Sequence, residues 1–203
     1  MVKVKICGIT NIKDALMCVD AGADALGFVF YKDSPRKVSI LESERILKRL
    51  PPIVEKIAVV VDYDSDLLLR LHNIGFRAFQ CYFQIQENLR ALLPDSVFIQ
   101  AYRVLSRPNV KTELIDAVLI DAYDSANVGG TGKAIDWDMA RSIREEIVIP
   151  MFLAGGLCPE NIGEAVQKVR PYAVDASSRL EIEPGKKDEK KVREFIHNAK
   201  CAC

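Results

Sequence analysis

The chain is predicted to form a closed barrel of eight parallel strands, a (β/α)8 barrel of the TIM type, on three observations. Strand-like and helix-like stretches alternate with a repeat of roughly 25 residues, the pattern of parallel strands joined by crossover helices. Several strands, Ala25 to Phe30 and Ile57 to Val61 among them, are nearly unbroken apolar runs, as strands covered on both faces are. Eight strand and helix pairs succeed one another with mostly short loops and no linker or low-complexity stretch, which assigns residues 1–203 to one domain.

Strand one, Val2 to Cys7, alternates Lys3 and Lys5 with Val2, Val4 and Ile6 and reads as half-buried. It ends on a thiol followed by Gly8, where a rigid strand fixes the aim of a reactive group and the loop admits a ligand. A small buried hydrophobe capping the strand is the alternative for Cys7. Helix one follows, about Ile12 to Asp20, with Asn11 as its N-cap. Strand two opens onto a polar loop carrying Lys32, Arg36 and Lys37, and helix two runs from about Leu41 to Leu50 before Pro51-Pro52. Strand three ends at Asp62, and a helix over Asp64 to Asn73 stops at Gly75. Strand four covers Ala78 to about Phe83, a weak helix Leu89 to Leu93, strand five Val97 to Tyr102, and a fifth helix Asn109 to Leu114. Strand six, Ala117 to Ile120, delivers Asp121; a long loop with Gly129 to Lys133, read as a flap, precedes a helix over Trp137 to Glu146. Strand seven, Val148 to Leu153, ends in Ala154-Gly155-Gly156, with Pro159 at the first turn of a helix reaching Val169. Strand eight, Tyr172 to Asp175, leads through Ser177, Ser178 and a lysine-rich loop to a last helix, about Glu189 to Ala199.

Composition limits what such a barrel does. Twenty-eight basic residues balance 28 acidic ones, so no global field draws nucleic acid or an anionic membrane, and an anionic ligand must be met locally. No apolar run reaches transmembrane length, and a cytoplasmic location is expected. Six cysteines without a CxxC pair or zinc spacing read as reduced thiols. With only His72 and His197 available, proton transfer falls to Cys, Asp, Glu or Lys.

The carboxyl ends of barrel strands share one face, so Cys7, Arg36, Asp62, Asp121, Gly155, Gly156, Asp175, Ser177 and Ser178 become neighbours. Glycines and serines ending strands seven and eight predict a donor-rich phosphate site, the alternative being that the glycines merely permit tight strand-to-helix turns. A thiolate at Cys7 and a carboxylic acid at Asp121 would run an isomerisation with no cofactor, and an inward Arg36 would clamp a carboxylate. A structural barrel with no such activity leaves this cluster unexplained.

The segments KICGIT at Lys5 to Thr10, GADALGFVF at Gly22 to Phe30 with SPR at Ser34 to Arg36, and GGTGK with DW at Gly129 to Trp137 resemble phosphoribosylanthranilate isomerases of tryptophan biosynthesis. LAGGL at Leu153 to Leu157 and the stretch from Val174 to Asp188 extend the likeness over nearly the whole chain. The resemblance implies an Amadori rearrangement of N-(5′-phosphoribosyl)anthranilate, a small-molecule substrate, by a monomer or homodimer without metal, nucleotide, nucleic acid or membrane. It assigns Asp121 as general acid, Cys7 as general base, Arg36 to the anthranilate carboxylate, Asp175 to sugar hydroxyls or to positioning the acid, and Gly156, Ser177 and Ser178 to phosphate. Gln80 and Tyr82 fall at the strand-four end where the family usually has QLHG, so Tyr82 replaces its histidine. Arg179 stands where the family has glycine; it would be strained if that position needed positive φ, or would add a cation beside the phosphate. These departures motivate a rival, a diverged barrel acting on another sugar phosphate.

Overall fold

A computed structural model describes residues 1–104, 106–121 and 137–202. Eight parallel strands close into a barrel in sequence order: β1 (Lys3–Cys7), β2 (Ala25–Val29), β3 (Glu55–Val60), β4 (Ala78–Cys81), β5 (Val97–Arg103), β6 (Ala117–Asp121), β7 (Met151–Ala154) and β8 (Ala173–Ala176). Pairing of β1 with both β2 and β8 closes the ring, with Cys7 opposite Gly27 and Lys5 opposite both Ala25 and Asp175. Around it lie α1 (Ile12–Asp20), α2 (Ile40–Leu47), α3 (Ser65–Asn73), α4 (Glu87–Leu92), α5 (Trp137–Glu146), α6 (Ile162–Val169) and α7 (Glu189–Cys201).

The helix starts follow local chemistry. Asn11, Ser39, Asp64 and Asp188 each accept a backbone N–H of the first turn of α1, α2, α3 and α7, supplying a partner to donors that the helix itself leaves unpaired. Two apolar layers result: Val4, Ile6, Leu26 and Phe28 pack outward against the helices, while Ala25, Ile57, Ala78, Leu119 and Phe152 fill the lumen.

Three expectations are corrected. The half-buried reading of β1 fails because a barrel covers both faces: Val4 and Ile6 face the helices, and Lys5 turns into the lumen with 0% exposure. The helix expected over Asn109 to Leu114 does not form; the described residues there run as loop and turn, and six residues after Pro108 are too few to offset nucleation. Strand seven starts at Met151, since Pro150 has no N–H for a ladder, and Val148 is 96% exposed. One addition is a short hairpin, β9 (Glu181–Glu183) and β10 (Lys186–Lys187), inserted between β8 and α7. The expected flap, Gly129 to Lys133, lies outside the described residues.

Candidate active site

Cys7 ends β1 facing inward, and its position depends on Gly27. A Cβ there would come 2.7 Å from Cys7 Sγ and 3.1 Å from both Cys7 Cα and Lys5 Cε. The chain then bends through Gly8, whose φ of 79° favours glycine, and the Gly8 and Ile9 N–H groups both donate to the Gly27 carbonyl. The Cys7 carbonyl accepts from Ser177 Oγ at 3.0 Å and from Lys187 Nζ at 2.6 Å.

Asp121 ends β6. Tyr82, just beyond β4, donates to Asp121 Oδ2 at 3.4 Å and accepts from Gln80 Nε2 at 3.3 Å. Arg103, paired with Asp121 in register, lays its guanidinium over the Tyr82 ring at 4.7 Å. Burial pushes the Asp121 carboxyl upward and Asp175 adds to that; Arg103, Tyr82 and Lys5 pull the other way without reversing it. A carboxyl in that setting holds its proton more readily than a solvated one. Burial also pushes the Cys7 thiol up, opposed by Lys5 and Lys187. Cys7 and Asp121 both end strands of the parallel barrel and so lie on one face of it.

Beneath this face Lys5 Nζ donates to Asp175 Oδ2 at 2.8 Å and to Gln80 Oε1 at 2.9 Å. Burial acts against the Lys5 ammonium, yet the Asp175 carboxylate 2.8 Å away holds its charge, and the contact is an ion pair. The other Asp175 oxygen, Oδ1, is buried without a hydrogen-bond partner among the described residues. Gln80 is therefore a buried support below the mouth, while Tyr82 lies at the mouth itself.

Arg36 Nε and Nη2 engage Glu181, and Glu181 also accepts from Lys187 at 2.7 Å. After β7, Gly155 and Gly156 have φ of 94° and 66°; the Asn161 amide accepts from Cys158 N–H and donates to the Gly156 carbonyl, fixing the turn. Ser178 opens a single 3-10 turn, Ser178–Leu180. Arg179, in that turn, is exposed and has no positive φ, so an arginine is unstrained there.

Residue-by-residue reading missed Lys5, Arg103, Glu181 and Lys187. Period-two spacing from Cys7 would have turned Lys5 inward once the barrel was inferred. The Arg36–Glu181–Lys187 cluster joins segments far apart in sequence and carries no local signal.

A closed barrel that gathers a thiol, a half-buried carboxyl and glycine-rich turns at the carboxyl ends of its strands belongs to the class of (β/α)8 enzymes. The family model for N-(5′-phosphoribosyl)anthranilate isomerase matches residues 4–198, and the chain belongs to that family. It is 44% identical over 207 residues to the N-(5′-phosphoribosyl)anthranilate isomerase of Geobacter sp. strain M21, covering 98% of each chain. The Aquifex aeolicus isomerase is 42% identical over 203 residues, covering 98% of this chain and 99% of its own. The crystal structure of phosphoribosyl anthranilate isomerase from Thermotoga maritima superposes with a TM-score of 0.87 at 37% identity, covering 99% of this chain and 100% of that one. A further isomerase structure, in complex with reduced 1-(o-carboxyphenylamino)-1-deoxyribulose 5-phosphate, matches with a TM-score of 0.82 at 35% identity over 99% of this chain and 100% of that one.

Proposed function

We propose that this chain converts N-(5′-phosphoribosyl)anthranilate to 1-(2-carboxyphenylamino)-1-deoxyribulose 5-phosphate, with Cys7 as base and Asp121 as acid. The carrying observation is the shared rim: Cys7 ends β1 and Asp121 ends β6 of one closed parallel barrel, and Tyr82, just beyond β4, bonds Asp121. Asp121 gives its proton to the ribose ring oxygen while the anthranilate nitrogen forms C1′=N, opening the ring to a protonated Schiff base. The Cys7 thiolate then removes the C2′ proton, and the C–H electrons form the C1′=C2′ bond of an enolamine. Return of the Cys7 proton to C1′ and loss of the O2′ proton to Asp121 give the ketone and restore both groups. No electron leaves the substrate, so no redox partner enters the balance.

Ser177 uses its hydroxyl on Cys7, so in this reading the phosphate meets Gly155, Gly156 and Ser178 together with the backbone at 177. The unpartnered Asp175 Oδ1 suits a sugar hydroxyl, and Arg36, held by Glu181, presents its remaining edge to the anthranilate carboxylate. Tyr82 closes the aromatic side. The chain is read as one domain that works in the cytoplasm as a monomer or homodimer. Purified protein should extinguish the fluorescence of N-(5′-phosphoribosyl)anthranilate, and a preparation that leaves it unchanged contradicts the proposal.

A further inference from the structure

Cys7 must be ionised and Asp121 protonated at the same moment. Where the thiol titrates above the carboxyl, only a small fraction of molecules holds that combination, and each unit by which the thiol is made more acidic raises the fraction about tenfold. The charged groups that act on Cys7 are Lys5 on its own strand, Asp175 on β8 and Lys187 on β10, while Asp121 and the Tyr82 bonded to it stand at other strand ends of the same face.

Lys5 stands apart among these by its placement. It is two residues before Cys7 on the same inward face of β1, and Cys7 Sγ and Lys5 Cε both lie within 3.1 Å of the point a Gly27 Cβ would occupy. Its ammonium is shut off from solvent, so its charge is little screened. Two of its N–H groups are spent on Asp175 Oδ2 and Gln80 Oε1, which fix the ammonium in the lumen beneath Cys7. Desolvating a lysine is costly, and a leucine or methionine would fill a lumen with less penalty. Lys187 does not duplicate this geometry, because its ammonium is bound to the Cys7 carbonyl and to Glu181.

We propose that Lys5 is a positioning residue for the reaction, the buried counter-ion that favours the Cys7 thiolate. Asp175 keeps that ammonium in place while damping its pull on the sulfur. Through Gln80 and Tyr82 the same cation is connected by hydrogen bonds to Asp121, at 2.9, 3.3 and 3.4 Å in turn. This deepens the isomerase reading and rests on it for its role in catalysis, but the coupling itself is measured without turnover.

The test is an ultraviolet titration of the thiolate, each full-length protein being compared with its own Cys7→Ala counterpart so that the difference belongs to Cys7. Lys5→Met should raise the Cys7 midpoint by at least about one pH unit, a tenfold loss of thiolate below it. Asp175→Asn should lower the midpoint, because it removes an anion that opposes the thiolate and damps Lys5; the rise in Lys5→Met is the change that a merely space-filling role for Lys5 does not produce. Since Lys5→Met leaves Asp175 buried without its cation, the Lys5→Met/Asp175→Asn double variant removes both charges and decides the matter if the single variant does not fold; its midpoint should also rise, by less. A midpoint equal to wild type in whichever of these two folds overturns the proposal, as does an upward move in Asp175→Asn. A Lys5-dependent midpoint in a protein inactive on N-(5′-phosphoribosyl)anthranilate overturns the functional reading alone.

Discussion

Gly27→Ala puts the packing around the thiol under direct test. The added methyl would lie 2.7 Å from Cys7 Sγ and 3.1 Å from Cys7 Cα and Lys5 Cε, and neither strand has slack, because Cys7 and Gly27 are register partners in the barrel. Sulfur must rotate or β1 must shift. Overpacking of this kind costs about 1–3 kcal/mol. For a chain of 203 residues each kcal/mol moves Tm by about 2–4 °C, so a fall of between about 2 and 12 °C is expected. A base displaced by about 1 Å loses roughly 100-fold in rate, so kcat should drop more steeply than stability. Gly163→Ala is the matched control. Its Cβ meets nothing within 4 Å on α6, so the substitution should stabilise the protein by roughly 0.5–1 kcal/mol with kcat unchanged. Thermal denaturation and steady-state kinetics on both variants decide it. Wild-type Tm and kcat in Gly27→Ala would refute the claim that this glycine makes room for the base.

Cys7→Ala and Asp121→Ala should each abolish measurable turnover, a loss of at least about 100-fold, with Tm close to wild type because both groups sit at the rim; full activity in either variant removes that assignment. Glu181→Gln should destabilise the protein at pH 7 by on the order of 3 kcal/mol, since it leaves the buried Lys187 ammonium and Arg36 without a full counter-charge. Although burial works against its ionisation, bonds from Arg36 and Lys187 hold Glu181 below its ordinary value of 4.5. A carboxyl lowered on folding contributes stability above its unfolded value and loses it as pH falls through the folded one, so the gap between wild type and Glu181→Gln should narrow below about pH 4.5 in urea titrations. Arg179→Gly should change stability by no more than about 0.5 kcal/mol, as expected of an exposed residue with no positive φ to relieve.

The fold was legible because its signals are local. Apolar runs bounded by Asp, Gly and Pro place seven of the strands to within about two residues, and Asn11 caps α1 as its sequence position implies. Where chain-level rhythm was extended over Asn109 to Leu114, it overrode what Pro108 and a six-residue length say about a helix. At the site, residues ending strands could be named from the barrel alone, and Cys7, Asp121 and Ser177 all reach its rim. What stayed hidden is what one side chain does to another. Glu181 bridging Arg36 and Lys187, and Lys5 reaching Asp175 on the neighbouring strand and Gln80 across the lumen, depend on which strands meet in a closed ring. Tyr82 shows the difference plainly: its place at the end of β4 was readable, whereas its bond to Asp121 and its stacking with Arg103 were not.

Two groups moving protons on either side of one bound sugar phosphate make up the core of this mechanism, and a crystal structure with reduced 1-(o-carboxyphenylamino)-1-deoxyribulose 5-phosphate measures that arrangement most directly. Cys7 Sγ should lie within about 3.5 Å of C2′, with Asp121 on the opposite side of the chain at O4′ and the phosphate against Gly156 and Ser178. A ligand whose phosphate settles elsewhere, or whose C2′ is out of reach of the sulfur, would contradict it.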